Sequence, residues 1–243
     1  MIYFISDIHL GLGTKEQQAE RETAFIQFLQ MIEHDCESLY IIGDLFDFWF
    51  EYKTVIPKHF YRTLAELKRW NDKGKSITYL MGNHDFGHHT FFKEEFGITV
   101  HEHDLAITIG NTSLYLSHGD GKAYHDTGYL ILKRILRNSF SKFLFRLIHP
   151  DIGIGIASWA SKGSRIHTDA KEYGEQSVGD GLRDFAEKKI KESGYDYVIM
   201  GHKHKAEIQT FGSGTYMNLG HWLSFPATYA VFDGKELKLC STS

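Results

Sequence analysis

The chain has 243 residues, 42% hydrophobic and 24% charged, with a net charge of −4. This is the balance of an ordinary water-soluble globular protein, and it argues against a broadly basic surface, so no nucleic-acid partner is expected. Its two cysteines, Cys36 and Cys240, lack any CxxC or metal-ligand spacing, which excludes a disulfide framework and makes a reducing compartment the default.

In chain order, Ile2–Ser6 reads as a buried strand and Lys15–Glu33 as a helix with apolar positions at Ala24, Phe25, Phe28, Leu29 and Ile32. Leu39–Ile42 is a second strand. Pro57–Lys73 is a second helix, with the proline in its first turn and Gly74 as its stop, before a third strand at Ile77–Met81. This βαβαβ rhythm predicts a parallel sheet with helices packed on it. Leu105–Ile109 and Ser113–Ser117, joined through Gly110-Asn111, read as a hairpin. The pattern from Tyr124 to about Ser193 (124–193) is almost wholly helical. Tyr195–Met200, Ala206–Phe211, Thr215–Leu219, Thr228–Phe232 and Leu237–Leu239 close the chain as short strands. With few prolines and no linker-like or repeated segment, residues 1–243 are expected to form a single domain, a two-sheet α/β sandwich carrying a helical insertion of roughly fifty residues.

No apolar run approaches the ~18 residues of a membrane span. The start, from Met1 to Asp7, has no basic stretch of the kind that opens a signal peptide, so a cytoplasmic location is expected.

Five polar clusters each follow a predicted strand: Asp7-Ile8-His9, Gly43-Asp44, Gly82-Asn83-His84-Asp85, His118-Gly119-Asp120 and Gly201-His202-Lys203-His204. Ligands collect beyond the carboxyl ends of strands in open parallel sheets, so the clusters can converge. Residues two apart in extended chain face the same side, so Asp7 with His9, and His202 with His204, can grip one site. A preceding glycine permits a sharp exit from the strand and close backbone approach. Carboxylate, amide oxygen and imidazole without thiolate suit divalent Mn, Fe or Zn. Two such ions ~3.5–4 Å apart can activate a shared water and clamp the attacking and leaving oxygens of an anionic ester. Any one cluster alone reads equally as a turn or as surface histidines; the five in order carry the argument.

This order resembles the calcineurin-like metallophosphoesterase superfamily, whose signature runs DxH, GD, GNH[DE], H, GHxH. The resemblance implies a four-layer αββα sandwich of two mixed sheets with a helical cap. It further implies that Asp7, His9, Asp44 and His204 hold one metal and Asp44, Asn83, His118 and His202 the other, Asp44 bridging both. By the same resemblance His84 is the acid that protonates the leaving oxygen or steadies the phosphoryl group, with Asp85 as its orienting partner.

Within the cap, Tyr129, Leu130, Leu132, Ile135, Leu136, Phe140, Phe143, Leu144, Phe145, Leu147 and Ile148 supply more apolar mass than one helix face requires. Between Asp126 and Asp151 the charges are all basic: Lys133, Arg134, Arg137, Lys142 and Arg146. This reads as an amphipathic cap that holds acyl chains while facing anionic headgroups. The other reading is a helical hairpin that buries its apolar face on the sheet and leaves its basic residues in water. The aromatic run Leu45-Phe46-Asp47-Phe48-Trp49 beside the metals has a plain alternative in core packing.

That run, the basic cap, and Asn218-Leu219-Gly220-His221-Trp222 with Tyr229-Ala230-Val231-Phe232-Asp233-Gly234 resemble one branch of the superfamily, the UDP-2,3-diacylglucosamine diphosphatases of lipid A biosynthesis. The resemblance implies hydrolysis of the pyrophosphate bond of a UDP-linked diacyl sugar to UMP and the sugar 1-phosphate. Two manganese ions would serve as cofactors, and the protein would sit peripherally on the inner face of the cytoplasmic membrane. Asn83 and, in the cap's last part, Ser161, Lys162, Ser164, Arg165 and Lys171 are the candidate substrate contacts. That branch often carries Gly-Asn-Arg-Asp where this chain has Gly82-Asn83-His84-Asp85. A phosphodiesterase or phosphatase of the same superfamily, acting on a soluble nucleotide or phosphoprotein, is the alternative.

Overall fold

The computed structural model describes residues 1–122, 127–156 and 178–242. Its elements in order are β1 (Ile2–Ile5), α1 (Lys15–Ile32), β2 (Ser38–Ile42), α2 (Tyr61–Asp72), β3 (Ser76–Leu80), α3 (Phe91–Phe96), β4 (Thr99–His101), β5 (Leu105–Ile109) and β6 (Thr112–Ser117). Then follow α4 (Thr127–Arg137), α5 (Ser139–Arg146), α6 (Val178–Ser193), β7 (Tyr197–Met200), β8 (Ala206–Phe211), β9 (Gly214–Leu219), β10 (Thr228–Phe232) and β11 (Leu237–Ser241). Residues 150–156 are also helical.

Two sheets form, a six-stranded one ordered β11-β10-β1-β2-β3-β4 and a five-stranded one ordered β5-β6-β7-β9-β8. The first is parallel from β1 to β4 and antiparallel at β10 and β11; in the second, β6, β7 and β9 are parallel. Alternation along β1 shows how the layers are built. Tyr3 and Ile5 face the helices and pack with Phe25, Phe28 and Leu29 of α1 and Leu67 and Trp70 of α2. Phe4 points the other way, into a core between the sheets with Leu116, Ile199, Met217 and Phe232. On the far side, Leu182, Ala186 and Ile190 of α6 cover Val198, Met200 and Tyr216. The result is the expected αββα order.

Local chemistry sets the element ends. Thr14 caps α1 by accepting from Gln17 N while Gln17 reaches back to Thr14 N, a reciprocal capping box. Pro57, expected in the first turn of the second helix, instead precedes a 3-10 turn at Lys58–Phe60, and the α-helix proper starts at Tyr61. Two elements carried too little pattern to be read from sequence, α3 and the edge strand β4. α3 is one and a half turns long and closes on Gly97 at φ 62°; β4 has only three residues.

Candidate metal centre

The parallel strands of both sheets direct their carboxyl ends to one edge. Asp7 and His9 follow β1, Asp44 follows β2, Asn83 follows β3, His118 follows β6, and His202 with His204 follows β7. Backbone bonds lock the loops together: Asp7 N donates to Gly43 O (3.2 Å), His9 N to Asp44 O (2.9 Å) and Gly201 N to His118 O (3.1 Å).

The turns themselves are strained. Among the described residues, the non-glycine positions with positive φ are Asp7, His9, Asp44, His202 and His204, all of them predicted ligands. Left-handed backbone is costly for such residues and persists where the surroundings enforce it, typically at functional sites. The glycines explain how the loops fit. A Cβ on Gly82 would lie 2.0 Å from Asp44 Oδ1, and one on Gly201 2.3 Å from Asp7 Oδ2.

The seven side chains meet. His9 Nε2 lies 3.0 Å from His204 Nε2 and 3.8 Å from both Asp7 Oδ1 and Asp44 Oδ2. Asp44 Oδ2 stands 3.2 Å from His118 Nε2, and Asn83 Oδ1 is 3.0 Å from both His118 Nε2 and His202 Nδ1. Asp44 thus lies between a lobe of Asp7, His9 and His204 and a lobe of Asn83, His118 and His202. Two outer contacts aim the ligands: His118 Nδ1 meets Ile42 O at 2.9 Å, and His202 N donates to Asp7 Oδ2 at 3.0 Å.

The donor set fits divalent cations. Asp7, His9 and His204 bring ligand atoms within 4.8 Å of one another, as do Asp7, Asp44 and His118. Asp7 Oδ1 is buried without a well-aligned hydrogen bond, an orphaned anionic acceptor facing the first lobe. Burial alone would raise the Asp7 carboxyl, yet the imidazoles of His204 and His9 beside it hold it well below the usual range. Asp44 is held low likewise, against burial, by His118, His84 and His9. Burial would lower the two buried imidazoles, but Asp47, Asp7 and Asp44 push His9 up to about 9, and Asp44 and Asp7 push His118 up to about 10. His202, by contrast, is carried down to about 4 by burial and by His118. The cluster alone balances its buried carboxylates with protons on His9 and His118, positions that cations would take over.

His84 lies at the rim, its ring centroid 5.0 Å from that of His9, and its backbone N donates to Asp44 Oδ1 at 2.9 Å. The expected pairing with Asp85 is corrected here. The Asp85 carboxylate accepts from Gly82 N (2.7 Å), Phe46 N (3.5 Å) and the Tyr79 hydroxyl, so it shapes the Gly82–Asp85 turn from beneath. The carboxylate facing His84 belongs to Asp47, 3.7 Å from Nδ1 and also 3.5 Å from His9 Nδ1. Asp47 escaped notice because it sits inside an aromatic run. That run divides: Leu45, Phe46 and Trp49 are core, while Phe48 and Phe50 reach Phe145 of α5.

The cap also departs from expectation. Four of its five basic residues turn inward, while Arg134 is exposed. Lys133 pairs with Asp120 at 2.6 Å, Arg137 donates to Gly82 O at 2.7 Å, Lys142 pairs with Glu102 at 3.3 Å, and Arg146 donates to Glu51 O at 3.2 Å. Asp120, two residues after His118, also accepts from Tyr129 at 2.7 Å. These bonds tie α4 to the loops that carry Asn83 and His118, and α5 to Glu102 and Glu51. The apolar side chains face out instead: Leu130, Leu132, Ile135, Leu136, Phe140, Phe143, Leu144 and Leu147 are all exposed. Neither headgroup-facing lysines nor a hairpin buried on the sheet describes this arrangement. A groove of about 590 Å³, lined in part by Leu10, Phe48, Phe60 and Ile154, runs from Asp47 toward the cap. Ser161, Lys162, Ser164, Arg165 and Lys171 lie outside the described residues.

Comparison with known proteins agrees with this geometry. The description "Calcineurin-like phosphoesterase" matches residues 1–206. A Porphyromonas gingivalis protein named UDP-2,3-diacylglucosamine hydrolase is 29% identical over 98% of this chain and 96% of its own length. A Haemophilus influenzae protein of the same name is 30% identical over 90% of each chain. The solved structure of an archaeal phosphodiesterase covers 99% of both chains with a TM-score of 0.50 at 12% identity, a likeness of fold. On the family match, the ordered motifs and the αββα sandwich, this chain belongs to the calcineurin-like phosphoesterase family.

Proposed function

We propose that the chain hydrolyses the pyrophosphate bond of UDP-2,3-diacylglucosamine, giving UMP and 2,3-diacylglucosamine 1-phosphate, at the inner face of the cytoplasmic membrane. The observation that carries the reading is the cap: an outward apolar surface on helices latched beside a cluster built for divalent cations. The named relatives support the substrate. Among the described residues no helix is long and apolar enough to cross a membrane, so peripheral contact through the cap is the form proposed.

In this reading Asp7, His9, Asp44 and His204 hold one ion and Asp44, Asn83, His118 and His202 the other. Two divalent ions, manganese foremost, supply charge neutralisation of the diphosphate and a water of lowered pKa. The protein's own groups do the rest. Asp44, held as a carboxylate between the lobes, fixes their spacing. Asn83 offers its amide to the phosphoryl oxygens. His84, backed by Asp47, delivers a proton to the departing oxygen or steadies the phosphoryl group. The groove beside Phe48 and Phe60 takes apolar chain, and the candidate contacts from Ser161 to Lys171 grip phosphate or sugar.

The test is UMP release by the Mn-loaded protein from UDP-2,3-diacylglucosamine and from unacylated nucleotide diphosphates. Faster turnover of the acylated substrate is expected; equal rates remove the lipid part of the reading. His84→Ala should slow release roughly 10²–10⁴-fold, the usual worth of a general acid.

A further inference from the structure

His221 belongs to the late Asn218–Trp222 motif and has no part in the ligand set, yet it stands at the centre's open side. Its ring centroid is 5.7 Å from that of His204. His204 is open to solvent on one side, its side chain 33% exposed where Asp7 is 0%. The rings of His84, His9, His204 and His221 touch in succession, with neighbouring centroids 5.0, 4.9 and 5.7 Å apart. His84 and His221 are the first and last members of that chain of contacts.

The loop holds His221 in register with the ligands. Trp222 N donates to Asp7 O at 3.0 Å. Arg21 donates to Trp222 O at 3.2 Å and to His9 O at 2.8 Å, joining the loop to the other ligand of β1. Asn218 ties the same loop to Gly201 O at 2.7 Å. These bonds fix the backbone on either side of His221 and so limit where its side chain can point.

Its tautomer is fixed too. Leu223 N donates to His221 Nδ1 at 2.9 Å, which requires a lone pair there. The ring is then neutral, with its proton on Nε2. That N–H has no partner among the described residues, and it sits beside a centre that attracts anions.

We propose that His221 is a specificity-determining donor whose Nε2–H binds the second phosphoryl group of a diphosphate ester. A monophosphate, held at the ligand cluster itself, does not reach it. The inference deepens the proposed function and rests on its diphosphate substrate, not on the acyl chains.

The test titrates the Mn-loaded full chain with methylenediphosphonate and with inorganic phosphate, free Mn²⁺ being held constant. The variants are wild type, His221→Ala and His221→Gln, the last keeping an N–H at similar reach. Wild type should prefer the diphosphonate. His221→Ala should lose about 10-fold in that affinity, as expected of a hydrogen bond to a charged group, and change less than about 3-fold toward phosphate. His221→Gln should recover most of the loss. The inference is overturned if wild type shows no preference, if Ala keeps it, or if both ligands weaken alike. ¹⁵N spectra of the metal-free protein give a readout apart from binding, and a protonated Nδ1 at His221 would also sink the idea. Turnover of UDP-2,3-diacylglucosamine is scored separately: its failure with the diphosphonate preference intact removes the lipid substrate alone.

Discussion

Replacing Phe140, Phe143 and Leu147 together by Ser tests the proposed contact of the cap with a membrane. These side chains are 66%, 54% and 69% exposed, so most of their apolar surface touches nothing in the protein. Full burial of a Phe or Leu is worth ~1.5–3 kcal/mol, and scaling by exposure leaves ~1–2 kcal/mol for each on entering a lipid interface. The three together come to ~3–5 kcal/mol, about 10²–10⁴-fold in partitioning. Substitution at such exposed positions should shift folding stability by only ~0.5 kcal/mol each. The assay is co-sedimentation with phospholipid vesicles, with thermal melting as the control. Salt adds a second discrimination. Lys133, Arg137, Lys142 and Arg146 are engaged inward and Arg134 is exposed, so binding should carry the weak ionic-strength dependence of one free charge, each lysine or arginine facing anionic headgroups adding about 1 kcal/mol of screened attraction. Unchanged partitioning of the triple variant, or steep salt dependence abolished by removing inward-facing lysines, would refute the reasoning.

Two further predictions concern the centre. Gly82→Ala puts a methyl group 2.0 Å from Asp44 Oδ1 and 2.6 Å from Asp44 N; displacing this carboxylate, proposed to bridge the two ions, should weaken metal binding at least 10-fold by calorimetry and cost ~1–3 kcal/mol in stability. Gly128→Ala, where a methyl meets open space, should leave metal binding unchanged. Metal affinity should rise with pH, because His9 and His118, pushed up to about 9 and about 10, carry protons at neutrality that must leave. In the metal-free protein the sign follows from those raised values. Their stabilisation is full below the ordinary imidazole value of ~6.5 and is lost as pH climbs through about 9 and about 10. Calorimetry in buffers of different ionisation enthalpy, with melting curves from pH 6 to 10, checks both; proton-free binding at pH 7 would contradict the first.

The convergence of the candidate ligands was legible because each residue follows an apolar strand, and strands of two sheets end at one edge. Period-two contacts such as Asp7 with His9 survive folding even though both residues adopt left-handed backbone. What escaped was set by partners distant in sequence. Asp47 and Asp85 are both acids three or fewer residues from a ligand, and only the fold decides which one faces His84. Short α3 and β4 exist because β4 pairs with β3, Thr99 opposite Thr78, a contact that no local pattern encodes. For the cap, composition gave the apolar excess and the basic charges but not their directions. Those directions depend on Asp120, Glu102 and Glu51, which lie outside the cap segment.

The inward turn of the basic residues joins two demands that the sequence presents separately. A cap free to face lipid must expose apolar surface, and such a surface would tend to collapse onto the neighbouring core unless something else held the helices away. The ion pairs from α4 and α5 supply that hold. Their acceptors are selective: Gly82 O adjoins Asn83, Asp120 adjoins the His118 loop, and Glu51 O closes the aromatic run that begins beside Asp44. The outward-facing apolar surface is therefore fastened to the loops that carry the candidate metal ligands. If the cap meets a bilayer as proposed, a force that tilts α4 would be delivered through Arg137 to the backbone beside Asn83, linking membrane contact to the geometry of the candidate ligands.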